Sequence, residues 1–116
     1  MRQIWVVDDD RSIRWVLEKA PTRAQMPFRL FESAADVVKA FERDTPSVLL
    51  SDIRMHDMSG LDLLAFVKNK YPGLPVIIMT AFSDLDSAVS AFQGGAYEYL
   101  AKPFDINSAI DLLRRA

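Results

Sequence analysis

Five short runs of apolar, β-branched or aromatic residues recur along this chain, and they limit its folds more than any other feature. They are Ile4-Trp5-Val6-Val7, Phe28 to Phe31, Val48-Leu49-Leu50-Ser51, Val76-Ile77-Ile78-Met79 and Tyr97 to Leu100. The first is continuously apolar, with none of the alternation expected of a strand that has one wet face, and it reads as a strand buried on both sides. Each run is followed by residues at helical spacing. Ile13, Val16, Leu17 and Ala20 follow the first, with Asp10 as a candidate N-cap; Val37, Val38 and Phe41 follow the second, capped by Ser33 and closed before Thr45-Pro46. Leu61, Leu64 and Val67 lie on one face of a helix over 61–70 that ends near Tyr71-Pro72-Gly73. Leu85, Ala88, Val89 and Phe92 form the expected inner stripe of a helix that starts near Ser83-Asp84 and stops at Gly94-Gly95. Ala109, Ile110, Leu112 and Leu113 belong to a last helix starting around Asn107-Ser108. Five strand-helix alternations with short connections predict an α/β fold, a parallel sheet covered by helices on both faces.

The chain has 116 residues, enough for one domain with its own core. Its net charge of −2 argues against a nucleic-acid surface. It holds no cysteine and one histidine, His56, so disulfides and thiolate sites are excluded and zinc is disfavoured. No apolar run nears the roughly 18 residues of a membrane span, and there is no signal-peptide pattern. A cytoplasmic location is compatible with this composition.

In an open α/β sheet, ligands bind beyond the carboxyl ends of the strands. Asp8, Asp9 and Asp10 follow the first run, Asp52 the third, Thr80 the fourth, and Lys102-Pro103 the fifth. Taken singly, each has a bland explanation. Acids favour a helix N-terminus, an aspartate opens a turn, and Lys-Pro suits a surface turn. Taken together, they converge on one edge of the sheet. Clustered carboxylates repel unless a cation joins them or one takes up a proton. With no thiolate and no histidine-rich set, the fitting cation is hard and oxygen-loving, Mg²⁺ first. A metal, a lysine and a hydroxyl around a carboxylate suit phosphoryl transfer, with the central carboxylate as a candidate nucleophile.

At these residues the sequence resembles the receiver domain of two-component response regulators. The motifs are VVDDD at 6–10, LLSDIRM at 49–55, VIIMTA at 76–81 and KPF at 102–104, and the likeness spans essentially all 116 positions. IWVVDDDRSIRWVLEKA, LPVIIMTAFSDLDSAVSAF and AYEYLAKPFD look most like the receivers of NtrC-type nitrogen regulators. The resemblance implies a flavodoxin-like (CheY-like), doubly wound, five-stranded sheet of order 2-1-3-4-5 with five helices. It implies that Asp52 accepts a phosphoryl group from a sensor histidine kinase, and that Asp8, Asp9, Asp52 and the backbone carbonyl of Arg54 hold Mg²⁺. Thr80 and Lys102 then contact phosphoryl oxygens, and the bond preceding Pro103 is cis. Tyr99 matches the aromatic whose packing changes on activation; an ordinary half-buried strand tyrosine is the competing explanation.

The implied switch is the helix from about Asp84 to Gly94 with the fifth strand. In an NtrC-type protein the output is an attached sigma-54 ATPase with a DNA-binding module, both absent from residues 1–116. The chain is then a receiver in the N-terminal part of a longer transcription regulator, dimerising on phosphorylation, and is no enzyme beyond self-catalysed transfer and hydrolysis at Asp52. The alternative is a receiver that dimerises without phosphorylation. An FMN-binding flavodoxin fits poorly, because three aspartates after the first strand repel phosphate. A haloacid-dehalogenase-type hydrolase places its nucleophile after the first strand, whereas the isolated acid here follows the third. Pro21 departs from the family where its first helix usually continues, and His56 replaces a usual proline. Arg54 and Phe82 occupy places that influence the lifetime of the phosphoryl group.

Overall fold

Alternate residues of the apolar runs enter two separate cores. Trp5, Val7, Leu49, Val76 and Ile78 belong to one, while Ile4, Val6, Val48, Leu50, Ile77 and Met79 belong to the other. Successive strand side chains point to opposite faces, so a strand covered on both sides needs apolar residues at every position. That is why these runs are unbroken. Fully burying each such side chain contributes about 1.5–3 kcal/mol.

The computed structural model describes residues 3–8, 28–53, 55, 57–81, 85–102 and 106–115. Its strands are β1 (Ile4–Val7), β2 (Phe28–Phe31), β3 (Val48–Asp52), β4 (Val76–Ala81) and β5 (Glu98–Lys102). All neighbouring pairs are parallel, in the order β2-β1-β3-β4-β5, as expected. The described helices are α1 (Ala34–Ala40), α2 (Gly60–Lys70), α3 (Leu85–Gln93) and α4 (Ile106–Arg115). The helix expected after β1, with Asp10 and Pro21, lies outside the described residues. Helices α1 and α2, with Ala91 of α3, cover the Trp5 face, and Leu112 and Leu113 of α4 cover the Val6 face. The sheet is therefore wound on both sides.

Local signals explain the helix ends. Ser33 Oγ accepts the Asp36 N–H at 3.3 Å and Ser59 Oγ accepts the Asp62 N–H at 3.1 Å, each a serine three residues before an aspartate. After α3, Gly95 adopts φ 99°. Its N–H donates to Phe92 O and the Ala96 N–H to Ala91 O, a Schellman closure that needs a left-handed residue.

Three expectations are corrected. The inner stripe of α3 is not Val89 and Phe92, which are 55% and 44% exposed, whereas Ala91 is fully buried. The small residue lets the helix lie close to the sheet, and the bulky ones turn outward. On α2, Leu64 and Val67 are buried as expected, but the third place is taken by Leu63, which is fully buried, while Leu61 is only partly buried. Strands β3, β4 and β5 run further than the expected runs, past Ser51, Met79 and Leu100 to Asp52, Ala81 and Lys102. Backbone pairing continues beneath polar side chains, because it does not depend on side-chain type.

Candidate functional site

The ladder registers set the site. Val7 lies opposite Ser51 across β1 and β3, so Asp8 follows β1 at the level where Asp52 ends β3. Strands in a sheet are about 4.8 Å apart, and Asp8 and Asp52 continue the parity of the paired Val6 and Leu50. Both carboxylates therefore fall on the same face, side by side. Asp52 lies opposite Met79, which places Thr80 one step further along β4; Thr80 in turn lies opposite Ala101, and Ala81 opposite Lys102.

Burial marks the same three residues. Asp8, Asp52 and Thr80 are 0%, 8% and 1% exposed. Apart from Ser51, they are the only polar residues buried this deeply among the described ones. Burying acids costs heavily unless they are hydrogen-bonded or neutralised. Asp52 Oδ1 accepts the Ile53 N–H at 3.0 Å, which fixes the rotation of the carboxylate. The Ser51 hydroxyl donates to the Asp52 carbonyl at 2.9 Å. The Asp8 N–H donates to Phe31 O at 3.2 Å, tying the first acid to the end of β2.

Two carboxylates buried at adjacent strand ends form an oxygen-only donor pair, which suits a hard divalent cation. Among the described residues no group of three acidic, histidine or cysteine side chains converges on a metal position. Asp9, the third acid of the expected set, lies outside the described residues, as do Arg54, His56, Phe82 and Pro103. Lys102 is placed by its backbone at the last position of β5. Tyr99 is half-buried on β5, with its ring edge-on to Phe92 of α3 at 5.6 Å. The strand tyrosine and the helix thus touch directly. Val89, Phe92 and Tyr97 form the exposed apolar side chains of this region.

Residues around the loop after β3 escaped the sequence reading. Gly60 N–H donates to Ile53 O at 2.7 Å, closing the neck of the loop. Asp57 accepts the N–H groups of Ala35 at 3.0 Å and Ala34 at 3.4 Å, 22 and 23 residues away in the chain. Ser59-x-x-Asp62 signals the helix start, whereas nothing local signals the Asp57 contact.

Response regulator receiver domains match the chain over residues 4–114. The DNA-binding transcriptional regulators NtrC of Proteus hauseri and of Escherichia coli K12 are 63% and 59% identical to it over 113 residues, 97% of this chain. The chain spans 24% of the length of each of these relatives. Among solved structures, the apo receiver domain of NtrC is 57% identical with a TM-score of 0.88, over 98% of this chain and 92% of that one. The BeF3-activated NtrC receiver domain is also 57% identical, with a TM-score of 0.84 over 100% of this chain and 95% of that one. The receiver of NtrX from Brucella abortus is 30% identical with a TM-score of 0.93, over 97% of this chain and 96% of that one. The family match over residues 4–114, the high identity to NtrC and the closely superposing NtrC receiver agree, and the chain belongs to the response regulator receiver domain family, among receivers of NtrC-like two-component transcription regulators.

Proposed function

We propose that this receiver takes a phosphoryl group onto Asp52 from the phosphohistidine of a sensor histidine kinase. The observation that carries the proposal is the position of Asp52: it ends the central strand β3, nearly buried, with Asp8 beside it on one flank and Thr80 on the other. A carboxylate oxygen of Asp52 forms the bond to phosphorus as the phosphorus–nitrogen bond of phosphohistidine breaks. The electron pair returns to the imidazole nitrogen, and no redox change occurs. Mounting on a paired strand, with the Ile53 N–H on Oδ1, holds the nucleophile in one orientation.

Asp8, Asp9, Asp52 and the Arg54 carbonyl are the proposed Mg²⁺ ligands. When bound, Mg²⁺ neutralises charge on the carboxylates and phosphoryl oxygens. The Thr80 hydroxyl donates to a phosphoryl oxygen, and the Lys102 ammonium pairs with another, with Pro103 after it in the cis form. Water later hydrolyses the acyl phosphate; the chain acts on no other substrate. New negative charge at Asp52 draws Thr80 in and repacks Tyr99 against α3. The direct Tyr99–Phe92 contact supports that route.

The length of the relatives supports the rest. The receiver is proposed to be the N-terminal part of a longer cytoplasmic regulator, whose sigma-54 ATPase and DNA-binding domains carry the output. Phosphorylation promotes dimerisation. No helix among the described residues is long and apolar enough to cross a membrane.

The test is labelling with acetyl phosphate or phosphoramidate, followed by intact mass. The chain gains one phosphoryl group when Mg²⁺ is present, and neither Asp52→Asn nor the chelated protein does. Equal labelling of Asp52→Asn rejects the assignment. An unlabelled chain that still dimerises selects the phosphorylation-independent reading.

A further inference from the structure

Asp8 and Asp52 are linked by a path of hydrogen bonds that runs through α1 and the loop after β3. Asp8 donates its N–H to Phe31 O, and two residues later Ser33 begins the cap of α1. The first amides of α1, those of Ala34 and Ala35, reach back to the carboxylate of Asp57. Asp57 lies in the loop that leaves Asp52 directly, and the neck of that loop is closed by Gly60 N–H on Ile53 O. From Ile53 the ladder returns to β4 through Met79 O at 3.0 Å. The hydrogen bonds of this path other than those of Asp57 are main-chain bonds of the sheet edge and the loop neck. Asp57 is the tertiary tie.

We infer that Asp57 is a positioning residue for the Mg²⁺ and phosphoryl site, holding the loop 53–59 in place by anchoring its tip to the start of α1. The inference rests on the function proposed above, which gives the carbonyl of residue 54 in this loop to the metal. A carboxylate accepting two N–H groups at a helix start is a charge-assisted contact that the helix dipole favours. Among the described residues, the neck of the loop is joined by the Gly60–Ile53 hydrogen bond and its tip by the contacts of Asp57 with Ala34 and Ala35. Cutting the tip removes the tertiary anchor of the loop to which the proposed ligand at residue 54 belongs. Residues that orient metal ligands from behind typically cost tenfold or more in affinity when removed. The same tie runs in reverse: filling the site stiffens the loop and is felt at the Ala34 and Ala35 amides, on the face of the sheet away from α4.

The test compares Asp57→Ala, Asp57→Asn and Ser33→Ala in the whole chain by Mg²⁺ titration with backbone amide NMR. Ser33→Ala removes the other cap of the same helix, whose Oγ accepts the Asp36 N–H, and leaves the loop untouched. Asp57→Ala is expected to weaken Mg²⁺ binding roughly tenfold and to silence the Mg²⁺ response of the Ala35 amide. Asp57→Asn keeps an acceptor oxygen and falls between. Ser33→Ala lowers the melting temperature but keeps the affinity. Wild-type affinity in Asp57→Ala, or an equal loss in Ser33→Ala, overturns the inference while phosphorylation of the unmodified chain still stands. If Asp57→Ala does not fold, Asp57→Asn carries the comparison, and wild-type affinity in it is then the overturning result. An unmodified chain that neither binds Mg²⁺ nor accepts phosphate overturns both readings.

Discussion

Gly60 is packed against the main chain of Asp52. A β-carbon at position 60 would overlap the Asp52 carbonyl oxygen and lie 2.7 Å from the Cα of Ile53. Neither contact can be relieved by a side-chain rotation, because both partners are backbone. The glycine thus permits α2 to begin directly beneath the end of β3. Gly60→Ala is expected to cost about 1–3 kcal/mol by overpacking and to slow phosphorylation by displacing Asp52. Thermal denaturation and a labelling time course check the two effects together; full stability and rate would show that the backbone yields easily there.

Mg²⁺ should stabilise the folded chain through the paired acids Asp8 and Asp52. At a free concentration ten times its Kd, linkage gives about 1.4 kcal/mol. Asp8→Asn removes one buried charge and most of that increment. Melting curves with and without Mg²⁺ measure it. An undiminished increment in the variant would take Asp8 out of the ligand set.

The rotation of α3 predicts an unusual ranking. Ala91 is fully buried and Phe92 is 44% exposed. Ala91→Leu is expected to cost about 1–3 kcal/mol by overpacking. Phe92→Ala should cost only about 0.5–1.5 kcal/mol, most of it the lost edge-on contact with Tyr99. Urea denaturation ranks the pair, and the Tyr99 ring resonances report the second change.

Closure of α3 depends on Gly95 at φ 99°. A β-carbon there meets only the side chain of Lys68, the nearest atom at 3.4 Å, so conformation rather than space is the obstacle. Gly95→Ala should cost about 1–2 kcal/mol, and Gly95→Asn less, since asparagine tolerates the left-handed region. Equal losses in denaturant would point instead to the contact with Lys68.

The layering and the candidate acids were legible in the amino-acid sequence because they depend on local pattern, whereas the strand order came only from the family resemblance. Continuous runs such as Ile4–Val7 demand cover on both faces, and aspartates directly after such runs must fall at the sheet edge. Ser33 and Gly94-Gly95 likewise announce helix ends through interactions a few residues long. What the pattern could not set is the rotation of a helix about its own axis. On α3, hydrophobic spacing favours Val89 and Phe92, but the close approach of backbone to sheet favours the smaller Ala91. Nor could it show the reach of strands past the expected runs, since backbone hydrogen bonds continue under Asp52, Thr80 and Lys102 alike. The Asp57 tie to Ala34 and Ala35, and the contact of Gly60 with the Asp52 carbonyl, join segments brought together only by folding. Those contacts exist because the parallel crossovers deliver α1, α2 and the end of β3 to one edge, and that is a property of the tertiary structure alone.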